Sequence, residues 1–333
     1  MESVDRILLD RVQRSFPLTA EPYRSLGEGL GLTPLEVQQR IGALKTRRIV
    51  RQISAIFNTG ALGYRSSLVA MAVPEEHLEQ AAAVVNAYPG VSHNYLREGR
   101  FNMWYTLAVP PGHSLEGKVA ALAEQAGGWP ALVLPAEKKF KLEVVLDVLE
   151  DAEPDAAEER GAGPQLEASA SFVPTPENVR IVRCIQEDLP LVERPFRAWA
   201  ETLSLEESTL LSLMSDWIQR GIMRRFAAVL NHRQAGFSAN GMVVWHCPEE
   251  TISEKGPILA SFAEVSHCYH RPSYPEWPYN LYAMVHGRTV DECKGTAARL
   301  GSAIGLNDYQ ILFSTREFKK IRLKLFWDAP LTS

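Results

Sequence analysis

Residues 266–282 read Ser-His-Cys-Tyr-His-Arg-Pro-Ser-Tyr-Pro-Glu-Trp-Pro-Tyr-Asn-Leu-Tyr. Alternating apolar and polar residues lead in through Ala263-Glu264-Val265 and out from Asn280 to Val285. That pattern predicts a strand, a connection stiffened by Pro272, Pro275 and Pro278, and a second strand. Prolines preset the backbone and lower the entropy lost when such a connection orders, which suits a wall against a flat ligand. A lone copy reads equally well as a rigid hairpin packed on its own aromatic side chains. A second copy changes the balance. Residues 92–106 read Ser-His-Asn-Tyr-Leu-Arg-Glu-Gly-Arg-Phe-Asn-Met-Trp-Tyr-Thr. Ser92-His93, Tyr95, Asn102 and Trp104 fall against Ser266-His267, Tyr269, Asn280 and Tyr282.

The repetition extends along the chain. Phe16-Pro17-Leu18 with Pro22-Tyr23 returns as Leu189-Pro190-Leu191 with Pro195-Phe196, and Ile49-Val50-Arg51 returns as Ile222-Met223-Arg224. Leu62-Gly63-Tyr64 returns as Ala235-Gly236-Phe237, and Lys139-Phe140-Lys141 is echoed by Glu317-Phe318-Lys319. A period of about half the chain is far too long for a solenoid unit, so two related proteins are joined head to tail. Between them, residues 150–171 turn acidic and small, which predicts a flexible linker.

Each copy opens with a helical pattern. In the first, Ile7, Leu8 and Val12 have helical spacing, Pro22 starts a second helix, and Thr33 with Glu36 forms a capping box for a third. Alternation from Ile49 to Phe57 then gives a strand, completing a winged helix-turn-helix. Beyond it the order is strand, helix, strand, strand, helix, strand, which is ferredoxin-like (βαββαβ). The predicted class is α+β, a tandem of winged helix and ferredoxin-like domains. Expected boundaries are 1–58 and 62–149 for the first copy, and 172–231 and 235–328 for the second. The closing strand of the first is expected over 132–146, interrupted at Pro135.

The 333 residues carry 46% hydrophobic and 23% charged side chains and a net charge of −5. This is an ordinary globular composition without a pull toward nucleic acid or membrane. No secretory signal pattern or membrane-spanning apolar run is read. The four cysteines form no CxxC pair, which argues against a thiolate zinc site or a disulfide framework. A cytoplasmic protein is expected.

The winged helix followed by a ferredoxin-like domain resembles the Lrp/AsnC regulators. More specifically, the chain is similar to the siroheme decarboxylases, an enzymatic offshoot of that fold. The residues that carry this likeness are Phe16-Pro17-Leu18, Ile49-Val50-Arg51, Ser92-His93-Asn94-Tyr95-Leu96-Arg97 with Asn102-Met103-Trp104, and the whole run from Ser266 to Tyr282. The family pairs two related subunits, here fused. The resemblance implies conversion of siroheme to 12,18-didecarboxysiroheme by loss of two acetate carboxylates, in haem d1 or siroheme-dependent haem synthesis. Siroheme is then the substrate, and no separate cofactor or protein-held metal is expected. The partners are siroheme and its product, in a homo-oligomer or a pseudo-dimer within one chain.

The residue types fit that chemistry. A macrocycle bearing eight carboxylates needs cations in several directions, and the arginine fork grips a carboxylate through two bonds. Arg51, Arg97, Arg100, Arg224 and Arg271 are the candidates, with Lys139, Lys141, Lys319 and Lys320 weaker. Tyr95, Trp104, Tyr269 and Trp277 are candidate walls. Loss of carbon dioxide leaves electrons on the ring and a carbon that must gain a proton, work for a histidine. His267 and His93 lead, then His270; an axial iron contact from His93 or His267, or a plain core role, is the alternative. Because His270, Pro272 and the Pro275–Pro278 segment lack counterparts in the first copy, the second half is expected to carry most of the site. The rival readings are a DNA-binding regulator, with Gln38, Gln39 and Arg40 on its reading helix, and a tetrapyrrole sensor without catalysis.

Overall fold

The computed structural model describes residues 2–142, 172–230 and 239–329, so the segment read as a linker lies outside the described residues. The first copy runs α1 (Ser3–Arg14), α2 (Pro22–Gly27), α3 (Pro34–Thr46), β1 (Val50–Phe57), β2 (Arg65–Met71), α4 (Leu78–Ala87), β3 (Val91–Arg97), β4 (Met103–Val109), α5 (Leu115–Gln125), β5 (Ala131–Leu134) and β6 (Lys138–Leu142). The second runs α6 (Pro176–Ile185), α7 (Pro195–Leu203), α8 (Glu207–Gln219), β7 (Met223–Leu230), β8 (Ala239–Trp245), α9 (Ile252–Ser261), β9 (Val265–His270), β10 (Leu281–Gly287), α10 (Val290–Ile304) and β11 (Tyr309–Lys320). The chain folds into two compact units, and each draws on both copies. No helix among the described residues is long and apolar enough to cross a membrane.

One unit holds the two winged helices. Thr33 caps α3 through the expected reciprocal bonds with Glu36. Among the described residues, β1 and β7 form a two-stranded sheet, paired antiparallel with each other. The motif Phe16-Pro17 and its echo Leu189-Pro190 then acquire a purpose. A residue before proline is held extended, and the Phe16 N–H donates to Phe226 O at 2.7 Å while the Leu189 N–H donates to Ile53 O at 2.8 Å. Each copy thus braces the other's strand. Phe16, Phe196 and Phe226 close the core with ring centroids 5.5–6.4 Å apart. Leu325 and Phe326, buried, belong to this unit, so the second ferredoxin-like domain ends before the expected residue 328.

The other unit holds both ferredoxin-like domains in one sheet of nine strands, ordered β5-β2-β4-β3-β11-β8-β10-β9-β6. The expected single closing strand of the first copy is instead two. Pro135 cannot donate to a ladder, and there the chain leaves β2 and crosses to β9 of the other copy. The second copy does likewise without a break, since β11 pairs with β8 over Tyr309–Phe313 and with β3 from Ser314 onward. The two ends of the strand order, β5 and β6, are separated in sequence only by residues 135–137, so the sheet curls until its ends meet. A bond across that seam runs from the Tyr274 hydroxyl to Val133 O at 2.7 Å.

The helices cover the outer face, while the inner face is filled rather than hollow. Ala70, Phe101, Trp104, Leu132 and Leu134 of the first copy interdigitate there with Met242, Val244, Trp277, Tyr282 and Leu312 of the second. On the outer face, Phe140 of β6 lies against α9 of the other copy at Gly256, where a Cβ would come within 2.4 Å of its ring. Gly256→Ala gains helix propensity of up to ~1 kcal/mol but overpacks a cross-copy contact, a cost of about 1–3 kcal/mol. Thermal melts should show a lowered Tm, and the truncation Phe140→Leu in the same chain should restore part of it.

Candidate functional site

The two signature hairpins build two matching clusters. On β3, side chains two apart share a face, so His93, Tyr95 and Arg97 line up. Ser92 Oγ lies 2.9 Å from His93 Nδ1, the imidazole stacks on Tyr95 with centroids 6.2 Å apart, and the Arg97 guanidinium sits 5.7 Å over the same tyrosine ring. On β9, Ser266 Oγ lies 2.8 Å from His267 Nδ1, the centroids of His267 and Tyr269 are 6.1 Å apart, and Arg271 sits 4.7 Å over Tyr269. In each histidine the serine hydroxyl lies against Nδ1.

Arg97 and Arg271 are the most telling members. Both are buried, at 6% and 9% exposure. Each donates from Nη1 to one backbone carbonyl of the other copy, Leu312 O and Leu134 O respectively. Neither has a carboxylate partner among the described residues, and the Nε of each is enclosed without a hydrogen-bond acceptor. Burial lowers Arg97 from its ordinary value to about 10, and lowers Arg271 as well. A cation so placed costs the folded state roughly 3 kcal/mol for Arg97. That cost is present in full at neutral pH and shrinks only as the pH rises past about 10, because the unfolded chain holds its proton more tightly. An anionic ligand would offset it directly.

Several expected residues lie elsewhere. His270, of even position on β9, faces the helices, where Nδ1 is 3.3 Å from Glu137 and Nε2 is 3.4 Å from Glu249. The strand's period of two thus separates it from His267 and corrects its expected catalytic place. Trp104 (1% exposed) and Trp277 (7%) stand at the centre of the shared core, 5.3 Å apart, their indole N–H groups donating to Phe101 O and the Tyr282 hydroxyl. They support the hairpins, and the aromatic faces beside the histidines belong to Tyr95 and Tyr269. Lys141 and Lys319, matching positions of the repeat, donate to carbonyls at the ends of α9 and α4, Phe262 O at 2.9 Å and Asn86 O at 2.6 Å. They are helix caps. Asn102 and Asn280 also prove structural, each gripping both the N–H and the carbonyl of the residue soon after its domain's first strand, Val73 and Cys247.

Arg51 and Arg224 are exposed on the winged-helix unit, at opposite ends of the β1–β7 ribbon, ~20 Å apart at strand rise. Arg100 is exposed in the short β3–β4 turn, over the Phe101 ring at 5.4 Å. Lys139 and Lys320 are exposed, cross-strand from Tyr269 and His93. His93 and His267 lie on strands that are not neighbours, β3 and β9 being four strand steps apart one way round the closed order and five the other. Cys268, between His267 and Tyr269 in sequence, faces the helices, and burial pushes its thiol up to about 12, so it offers no thiolate.

Sequence reading missed two features of the β9 cluster. Ser266 Oγ also lies 2.7 Å from Nε2 of His286 on β10, whose counterpart in the first copy is Ala108. Where Lys139 stands opposite Tyr269, the first copy's cluster has Glu317 opposite Tyr95. Aligning the repeat over its full length shows both differences.

Comparison with known proteins agrees with this architecture. Residues 61–141 and 234–319 match the AsnC-like ligand binding domain, so the chain is a tandem AsnC-like protein. Residues 5–51 and 178–224 match the siroheme decarboxylase NirDL-like HTH domain. The siroheme decarboxylase of Hydrogenobacter thermophilus is 42% identical over 96% of this chain and 94% of its own. The NirDL subunit of Paracoccus denitrificans is 31% identical, covering 96% of each. The crystal structure of the siroheme decarboxylase NirDL superposes with a TM-score of 0.78 at 37% identity, over 97% of this chain and 94% of that one. The chain belongs to the siroheme decarboxylase family.

Replacing Arg271 by Met should weaken binding of an iron tetrapyrrole carboxylate by about 1.5–3 kcal/mol, the worth of a charge-assisted bond. Titration followed by the Soret band measures this, with the melting curve of the unliganded variant as the check on folding.

Proposed function

We infer that the chain is a carboxy-lyase that converts siroheme to 12,18-didecarboxysiroheme. The observation that carries this reading is a buried arginine without an acid partner, on the same strand face as an imidazole whose Nδ1 is already engaged. Family membership supplies the substrate class. A related structure, that of NirDL with an iron-uroporphyrin III analogue, matches with a TM-score of 0.77 at 37% identity.

Each step takes a pyrrole acetate as its carboxylate. The bond from the methylene carbon to the carboxyl carbon breaks, carbon dioxide leaves, and the electron pair passes to the conjugated ring. The methylene carbon then takes one proton and becomes a methyl group. His267 Nε2 supplies that proton as general acid. Arg271 and Tyr269 hold the macrocycle so that one acetate reaches it, with the remaining carboxylates gripped by surrounding cations. The reaction needs no cofactor, since the ring itself receives the electrons. A setting of neighbouring aromatic rings disfavours the localised carboxylate charge more than the dispersed one that follows.

The two clusters are unequal in charge. A substrate with eight carboxylates meets Lys139 beside Tyr269 but Glu317 beside Tyr95, so the β9 cluster is the productive one and the β3 cluster shapes the fold. Anaerobic incubation of the purified protein with siroheme should yield a product lighter by two carbon dioxide. Binding without mass loss would mean a sensor, and neither, with salt-sensitive retardation of DNA, a regulator. His267→Ala should lose ~10²–10⁴-fold in turnover, and His93→Ala far less. Equal losses would count against the division of labour. Lys139→Glu should raise KM about 10-fold, ~1.4 kcal/mol, and the effect should fade with added salt.

A further inference from the structure

We propose that His286 is a positioning residue that delivers protons to His267 through the Ser266 hydroxyl. The proposal rests on the reading of His267 as the acid. Ser266 Oγ lies 2.8 Å from His267 Nδ1 and 2.7 Å from His286 Nε2. A hydroxyl has one hydrogen and two lone pairs, so it can donate to one ring while accepting an N–H from the other. The shared hydroxyl couples the two imidazoles when it donates to one and accepts from the other.

That coupling answers a need of the reaction. Each carbon dioxide released consumes one proton, and the full conversion consumes two at the same general acid. A neutral imidazole that simply gave up its Nε2 proton would be left as an imidazolate, a poor acid's product. With the relay, the Nε2 proton goes to the methylene carbon while the Ser266 proton moves to His267 Nδ1. The Nε2 proton of a charged His286 moves to Ser266 Oγ in the same step. His267 ends neutral with its hydrogen on Nδ1, Ser266 keeps a hydroxyl, and His286 ends neutral. One proton from solvent, taken at His267 Nε2 and passed back along the same three groups, restores the starting state. No oxidant or reductant is involved.

The geometry behind the contact is a bulge. β9 and β10 slip register between Met284 and Val285, leaving Ser266 unpaired at the ladder and beside the side chain two residues further along β10. The main chain of His286 is fixed by donating to Glu264 O at 3.2 Å, and the Glu264 side chain is bonded to Arg299 on α10. In the first copy, Ser92 repeats the bond to His93, but Ala108 stands where His286 does, so the relay is built on one side only.

The test uses the full-length protein with siroheme under anaerobic conditions. His286→Ala should lower kcat about 10-fold or more, below the ~10²–10⁴-fold worth of the acid itself, with KM and tetrapyrrole affinity unchanged. Added imidazole should restore kcat. Ser266→Ala, a smaller change that keeps both rings, should show the same kcat loss and resist the rescue, because the bridging oxygen is gone. It also covers the case in which His286→Ala fails to fold. Wild-type kcat in either variant, with His267→Ala inactive, overturns the relay and leaves the acid assignment standing. A loss confined to KM, or a kcat loss that imidazole does not touch in His286→Ala, assigns His286 a structural role and also overturns it. Undiminished turnover in His267→Ala is a different failure, that of the acid.

Discussion

The pairing of each closing strand with the other copy's sheet governs the ferredoxin-like unit. A four-stranded ferredoxin-like sheet leaves two edges open, and open edges invite association with other chains. Here β6 covers the edge at β9 and the second half of β11 covers the edge at β3. Covering both edges at once curls nine strands into a closed order, turns two half-cores into one shared core, and places carbonyls of one copy beside the arginines of the other. Leu134 O exists beside Arg271, and Leu312 O beside Arg97, only because the strands cross. Each cluster's arginine is therefore anchored by the other copy.

The same crossing encloses one arginine of each copy against a carbonyl of the other. An arginine buried without a counter-ion is among the costlier things a fold can contain. Two of them at equivalent positions, each tied by a single nitrogen, cannot be chance filler. A hydrophobic side chain of similar length would pack in their place with less cost. A ligand that brings its own negative charge would offset that cost. The neighbouring tyrosine faces lessen the burden by cation–π contact, at 4.7 Å for Tyr269 and 5.7 Å for Tyr95.

How much of this the sequence disclosed follows from the range of the forces involved. Local chemistry was readable: the Thr33 capping box and the stiff hairpin both rest on residues a few positions apart. The duplication was readable because it compares the chain with itself. The strand exchange was not, since alternation says that a strand forms and which faces it has, never which neighbour it takes. Pro135 marked a break, and only the pairing shows that the chain changes sheets there. Trp104 and Trp277 were misjudged for the same reason: a repeated aromatic beside a repeated histidine signals a wall or a core equally until the second sheet is in place. His286 escaped notice because a repeat search rewards what both copies share, and this residue matters through being unshared.

The winged helices show how a scaffold loses its first use. A DNA-reading helix needs free cations, yet Arg40 on α3 is held by Glu2 at 2.9 Å and Asp5 at 2.7 Å. Lys45, at the end of the same helix, is bonded to Asp188 at 2.7 Å. The acids of α8 are half-buried and paired, Glu207 with Arg194 and Asp216 with Arg220. The strands that would form wings are spent on each other, in the β1–β7 ribbon. What survives of the ancestral design is its packing, two helical domains locked by three phenylalanines and a pair of reciprocal backbone bonds. Arg51 and Arg224 remain exposed at the two ends of that ribbon.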